Sequence, residues 1–133
     1  MTVTQIENMG EFRQRFYSFY DSVIRSLYVS YRPAGRTEVE IIISTRDSMS
    51  AGEDRWVNIR LTIKGVTEFA LCHRDNVDYQ VLSNGIHLKQ IEKCYFLEFG
   101  DCIDEPADLE EIRRSKFYIA GAEIEYEITP YQE

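Results

Sequence analysis

The sequence predicts an α+β fold: an N-terminal helix packed on a strongly curved, mainly antiparallel sheet, or a partly closed barrel, of about eight strands. Three observations predict it. One amphipathic helical stripe stands first in the chain, and a period of two takes over after it. The strand-like runs recur at spacings near ten residues. Their connections are short, so sequence neighbours are expected to pair antiparallel. The length of 133 residues fits a single domain, 1–133.

The helix is expected over residues 5–20. Phe12, Phe16, Phe19 and Tyr20 recur at helical spacing, while Glu11, Arg13, Gln14 and Arg15 fall mostly elsewhere on the wheel. From Val23 to Arg32 the chain is aromatic and β-branched, and Pro33-Ala34-Gly35 supplies a turn. Val39, Ile41 and Ile43 then alternate with Glu38, Glu40 and Ser44, which predicts a hairpin of 22–32 with 37–46. A polar loop follows over 47–54. The clearest strand places Val57, Ile59, Leu61 and Ile63 on one face and Asn58, Arg60, Thr62 and Lys64 on the other. Gly65 breaks it, and Phe69 and Leu71 continue the apolar face.

Asp75-Asn76-Val77-Asp78 turns the chain. Residues 79–83 and 86–91 flank Asn84-Gly85, which reads as a tight hairpin because both turn positions need φ > 0. Cys94–Phe99 is apolar on both faces and reads as a central strand. Residues 100–111 form an acidic loop, with Leu109 and Ile112 seating a short helix. Phe117-Tyr118-Ile119 is a strand and Ala120-Gly121 a turn. In the last strand Ala122, Ile124, Tyr126 and Ile128 oppose Glu123, Glu125 and Glu127.

Charge is the most informative feature. The chain holds 15 Lys+Arg against 23 Asp+Glu, a net −8. Residues 1–97 are balanced, with 12 acids and 12 bases. Residues 98–133 carry 11 acids against three bases and so hold the whole excess. Nucleic acid is excluded as a partner on this ground, since displacing counterions from phosphates requires a basic face. Seven acids, Glu98, Asp101, Asp104, Glu105, Asp108, Glu110 and Glu111, fall within 14 residues. Glu123, Glu125 and Glu127 line one strand face. A negative surface of this kind captures a basic protein partner and speeds its association. Tyr118 and Tyr126 are the candidate aromatic anchors beside it. The bland alternative is a solvated edge whose carboxylates discourage strand pairing.

Other chemistry is sparse. No metal or cofactor is expected: histidine pairs, Cys-x-x-Cys and calcium-loop spacing are absent, and the acids at 101–108 lack the regular spacing of a calcium loop. The seven glycines are singletons, so no phosphate cradle exists. His73, followed by Asp75 and Asp78, offers a general base with a carboxylate, the less favoured enzymatic reading. His87 lies opposite Ile86 and Leu88 and is expected in solvent. Three cysteines, Cys72, Cys94 and Cys102, fit buried thiols in a reducing cytosol, with a Cys94–Cys102 disulfide as the alternative. Trp56 lies on the polar strand face, as part of a binding surface or under the N-terminal helix. The N-terminus lacks the basic and apolar regions of a secretory signal, and no apolar run approaches the roughly 18–20 residues of a membrane span, so no membrane partner is expected. The expected compartment is the cytoplasm.

Four pieces carry a resemblance: Trp56-Val57-Asn58-Ile59, Gly65-Val66-Thr67-Glu68-Phe69, Val81-Leu82-Ser83-Asn84-Gly85-Ile86 and Ser115-Lys116-Phe117-Tyr118-Ile119-Ala120-Gly121. Within roughly residues 22–128 the chain resembles small bacterial open reading frames that are similar to immunity proteins of polymorphic toxin systems. That resemblance implies a small, acidic, cytosolic, non-catalytic protein that occludes a toxin domain. It supplies no catalytic residues. A barrel lined by Phe and Tyr that binds a small apolar ligand is the second reading.

Overall fold

A computed structural model describes residues 3–50, 55–71 and 81–132. Ten strands and two α-helices are present among them, in the order β1 (Thr4–Gln5), α1 (Met9–Arg15), β2 (Ser22–Ser30), β3 (Glu38–Arg46), β4 (Trp56–Lys64), β5 (Glu68–Ala70), β6 (Val81–Leu82), β7 (His87–Ile91), β8 (Cys94–Glu98), α2 (Leu109–Arg113), β9 (Tyr118–Gly121) and β10 (Glu123–Pro130). The fold is α+β and rich in strand. Instead of one sheet of about eight strands there are two: six strands ordered β1-β10-β4-β3-β2-β6 and four ordered β5-β9-β8-β7. Among the described residues every pairing is antiparallel, and the strands do not close into a barrel.

The core gathers the inward faces of both sheets and the N-terminal phenylalanines. Ile41, Ile43, Ile59, Leu61 and Ile63 from the large sheet, Leu97 and Ile119 from the small one, and Phe16 and Phe19 are all fully buried. The alternation read from β3, β4 and β10 is the alternation observed. In β2 a bulge between Ile24 and Ser26 adds one residue. It keeps Ile24 and Leu27 on the inner side although three positions separate them.

The helix is shorter than the stripe suggested. Thr4 and Gln5 are a strand, paired with Tyr126 and Glu125 of β10. Asn8 then caps α1, its Oδ1 accepting from the Glu11 N–H at 3.0 Å. At the other end Tyr17, Ser18 and Phe19 form a single 3₁₀ turn at φ 54°, 56° and 62°, in the left-handed region. Three consecutive left-handed residues cost roughly 1–2 kcal/mol each. The turn re-aims Phe19 into the core, 5.4 Å from the Phe16 ring, while Tyr17 and Tyr20 stay at the surface. Phe burial offsets the strain.

Asn84-Gly85 does not close a hairpin. β6 pairs with β2 and β7 with β8, so this turn carries the chain from one sheet to the other. Only Gly85 has positive φ, at 71°, whereas the tight hairpin turn requires it at both residues. Residues 65–67, between β4 and β5, and Ala122, between β9 and β10, are further crossings. Among the described residues, no helix is long and apolar enough to cross a membrane.

Candidate functional site

β8 is one of the two inner strands of the small sheet and is covered on both faces, as its composition predicted. Leu97 turns toward the main core; Phe96 turns outward and packs with Ile112, Tyr118 and Ala120. α2 is the cover on that outer side. Its start is built by two acids: Asp108 Oδ1 accepts from the Glu111 N–H at 3.0 Å, and Glu111 Oε2 accepts from the Ala107 N–H at 2.7 Å. Its end is clamped by Arg113, whose guanidinium donates twice to the Glu68 carboxylate, at 2.9 and 3.0 Å. Those bonds, with one from the Tyr118 hydroxyl at 3.1 Å, hold the Glu68 carboxyl below the usual carboxylate range against the opposing effect of burial.

Glu98 has the same parity as Phe96 and is only 1% exposed. Its carboxylate is occupied inside the protein. It accepts from the backbone N–H groups of Gly100 at 3.2 Å and Asp101 at 2.9 Å, from Cys102 at 3.3 and 3.4 Å, and from the Ser115 hydroxyl at 2.6 Å. One buried charge thus organises the turn that opens the acidic segment. His87 closes the other side. It is 4% exposed rather than in solvent, because the 100–102 turn covers β7. Its Nε2 lies 3.2 Å from the Cys102 carbonyl oxygen, which accepts only, so Nε2 carries the proton. Burial, with Glu98 and Asp101 nearby, pushes the Cys102 thiol up to about 11, which keeps it protonated and a poor nucleophile. Cys94 and Cys102 are free thiols, so the alternative disulfide is absent.

The remaining acids divide into two groups. Asp101, Asp104, Glu105, Asp108, Glu110 and Glu111 are exposed, on the loop and first turn of α2. Asp101 also accepts from the Lys116 N–H at 2.8 Å, and Glu110 pairs with Arg114 at 2.6 Å. Glu123, Glu125 and Glu127 sit on the outer face of the large sheet, away from the core. There Glu125 pairs with Lys64, and Arg60 lies between Glu127 at 3.8 Å and Glu40 at 3.6 Å. With the core between the sheets, these three acids and the α2 lobe point to opposite sides. Tyr118 is 8% exposed and bonded to Glu68. Tyr126 is half-buried against the rings of Phe12 and Phe16 at 4.9 and 6.3 Å.

His73, Asp75, Asp78 and Cys72 lie outside the described residues. Among the described residues no group of His, Cys, Asp or Glu is placed to hold a metal ion. An open cleft of about 630 Å³ lies between the N-terminal segment and α1, lined by Val3, Ile6, Phe12, Arg15, Met49 and Tyr126. At its floor Arg15 donates to both oxygens of Asp47 at 2.9 Å. Trp56 is not under the N-terminal helix, which packs on the inner face. It meets Tyr131 on the outer face, ring centroids 6.0 Å apart. Comparisons with protein-family models, with curated proteins and with solved structures return no match.

Proposed function

We propose that this chain is a non-catalytic binding protein that occludes a basic protein partner through the exposed acids of the 101–111 lobe, as an immunity protein occludes a toxin domain. The carrying observation is that six exposed carboxylates share one loop-and-helix element. That element is held from beneath by the buried Glu98 and from its end by the Arg113–Glu68 clamp. A pre-shaped acidic surface raises the rate of encounter with a cationic partner and loses little entropy on docking. Glu98 and Tyr118 serve in this reading as supports. Glu125 and Glu127 are engaged by Lys64 and Arg60 and contribute cohesion across the strands.

The test is co-expression with the C-terminal domain of a secreted protein encoded beside this chain. Protection of growth and a 1:1 complex are expected, with association slowing as salt rises. Reversing Asp104, Glu105 and Glu110 to lysine is expected to slow association roughly tenfold or more. Failure to protect, or an association rate indifferent to salt and to the three reversals, overturns the reading.

A second reading rests on the cleft. Its volume and its lining by Ile6, Phe12 and Tyr126, with Glu7 and Glu11 at its wall, suit a small ligand with an apolar body and no anionic group. It replaces the sequence-based expectation of a ligand inside a barrel, since Phe16 and Phe19 fill the interior.

A further inference from the structure

Two sets of arginines stand out among the described residues. Arg15, Arg32, Arg60, Arg113 and Arg114 are in ion pairs. Arg25, Arg46 and Arg55 are exposed; among the described residues Arg25 and Arg46 lie over tyrosine rings, and Arg55 bonds a tyrosine hydroxyl and the Ser48 carbonyl oxygen. The Arg46 guanidinium lies 5.5 Å from the centroid of the Tyr17 ring. Arg55 Nη1 donates to the Tyr17 hydroxyl at 3.3 Å. The Arg25 guanidinium lies 6.0 Å from the Tyr131 ring and donates to its hydroxyl at 3.2 Å, while its Nε donates to Ser44 Oγ at 2.8 Å. Trp56 joins the two halves: it is the cross-strand partner of Arg46 and contacts Tyr131. The result is a continuous belt in which cations and rings alternate across one end of the large sheet.

Three features make this belt a recognition surface. Its guanidiniums are held by stacking and bonding, so little side-chain freedom is lost on binding. A guanidinium carries five N–H donors in a planar fork that matches a carboxylate. Arg, Tyr and Trp are the residue types that dominate binding energy at interfaces. Charge then selects the partner. A long polyanion such as nucleic acid meets a net −8 on the rest of the molecule, and three cations release few counterions. A second copy carries the same −8. A short acidic segment of another protein covers less of the molecule than a long polyanion and can meet the three guanidiniums at contact range.

We propose that Tyr17, Arg25, Arg46, Arg55, Trp56 and Tyr131 form a docking surface for an acidic, leucine-bearing segment of a partner protein. Its carboxylates engage the guanidiniums and its apolar side chains lie on the rings. This surface stands independently of the acidic lobe and fits the opposite charge.

Trp56 is the single tryptophan of the chain, so its emission reads the belt directly. The probes are a glutamate-rich peptide with interspersed leucines, a lysine-for-glutamate version of the same length, and oligothymidylate. A saturable change in Trp56 emission is expected with the glutamate peptide and none with the lysine peptide. Arg46→Glu is expected to weaken the glutamate peptide roughly tenfold or more. Arg36→Glu, the same charge change on the exposed turn between β2 and β3, is expected to leave it unaltered. Circular dichroism checks that Arg46→Glu folds, and Arg46→Gln repeats the test with a smaller change. No emission change, or equal weakening by Arg36→Glu and Arg46→Glu, overturns the proposal. So does tighter binding of oligothymidylate, or self-association in sedimentation that Arg46→Glu abolishes.

Discussion

Glu98 shows how one residue can reverse its meaning between sequence and structure. By count it heads the acidic segment; by position it is a buried acceptor for three backbone N–H groups and the Ser115 hydroxyl. A signal was available, since its parity places it beside Phe96 in a run apolar on both faces. Replacing Glu98 by alanine orphans those donors and is expected to cost about 3 kcal/mol, read as a lower urea midpoint. A second buried carboxylate carries a pH dependence. Burial pushes Asp47 up, but the bonds from Arg15 and from the Met49 N–H outweigh it and hold the group below its usual value. With the folded value depressed, its contribution is complete above the unfolded value of about 4 and is lost as pH falls through the folded one. Urea midpoints measured downward from pH 7 should therefore fall in the acid range, and less steeply in Asp47→Asn.

Among elements, those with a strong local period were legible and those set by close backbone approach were not. β3, β4 and β10 follow their alternation residue by residue. The end of α1 does not follow its stripe. Phe19 keeps a helical spacing from Phe12 and Phe16, yet reaches the core through a left-handed turn, which side-chain periodicity does not encode. Asn84-Gly85 misleads for a related reason. Its glycine answers to space as well as to φ: a Cβ at Gly85 would lie 2.2 Å from the Ser18 carbonyl oxygen, and the Ile86 N–H donates to that same oxygen at 3.0 Å. The left-handed turn and the inter-sheet crossing are therefore packed against each other. Gly85→Ala combines a forbidden contact with positive φ and is expected to destabilise by more than about 2 kcal/mol, read as a drop in melting temperature.

For the whole molecule, the charge asymmetry was plain in the sequence, but its distribution required the fold. Tertiary structure decides that Glu98 is inside, that Glu125 and Glu127 face cations, and that the 101–111 acids are exposed, four of them with a partner in their own lobe. The arginine–aromatic belt was invisible for the same reason, since its members come from five separate stretches of chain. Two sheets were read as one because antiparallel neighbours were expected wherever connections were short. The chain instead alternates between sheets, and both contribute to one core cluster. Trp56 emission, reporting on the large sheet, and far-ultraviolet dichroism, reporting on both, should therefore give superimposable urea transitions. Separate midpoints would mean that the sheets unfold apart. The order of pairing has a consequence for biosynthesis. β4 lies between β3, which precedes it, and β10, which is made well after it, and among the described residues β1 pairs with β10 alone. During synthesis one edge of β4 therefore stays open, and β1 stays unpaired, until residues 123–130 have been made. An open strand edge is a template for pairing with another chain, so that interval is when misassociation competes with folding.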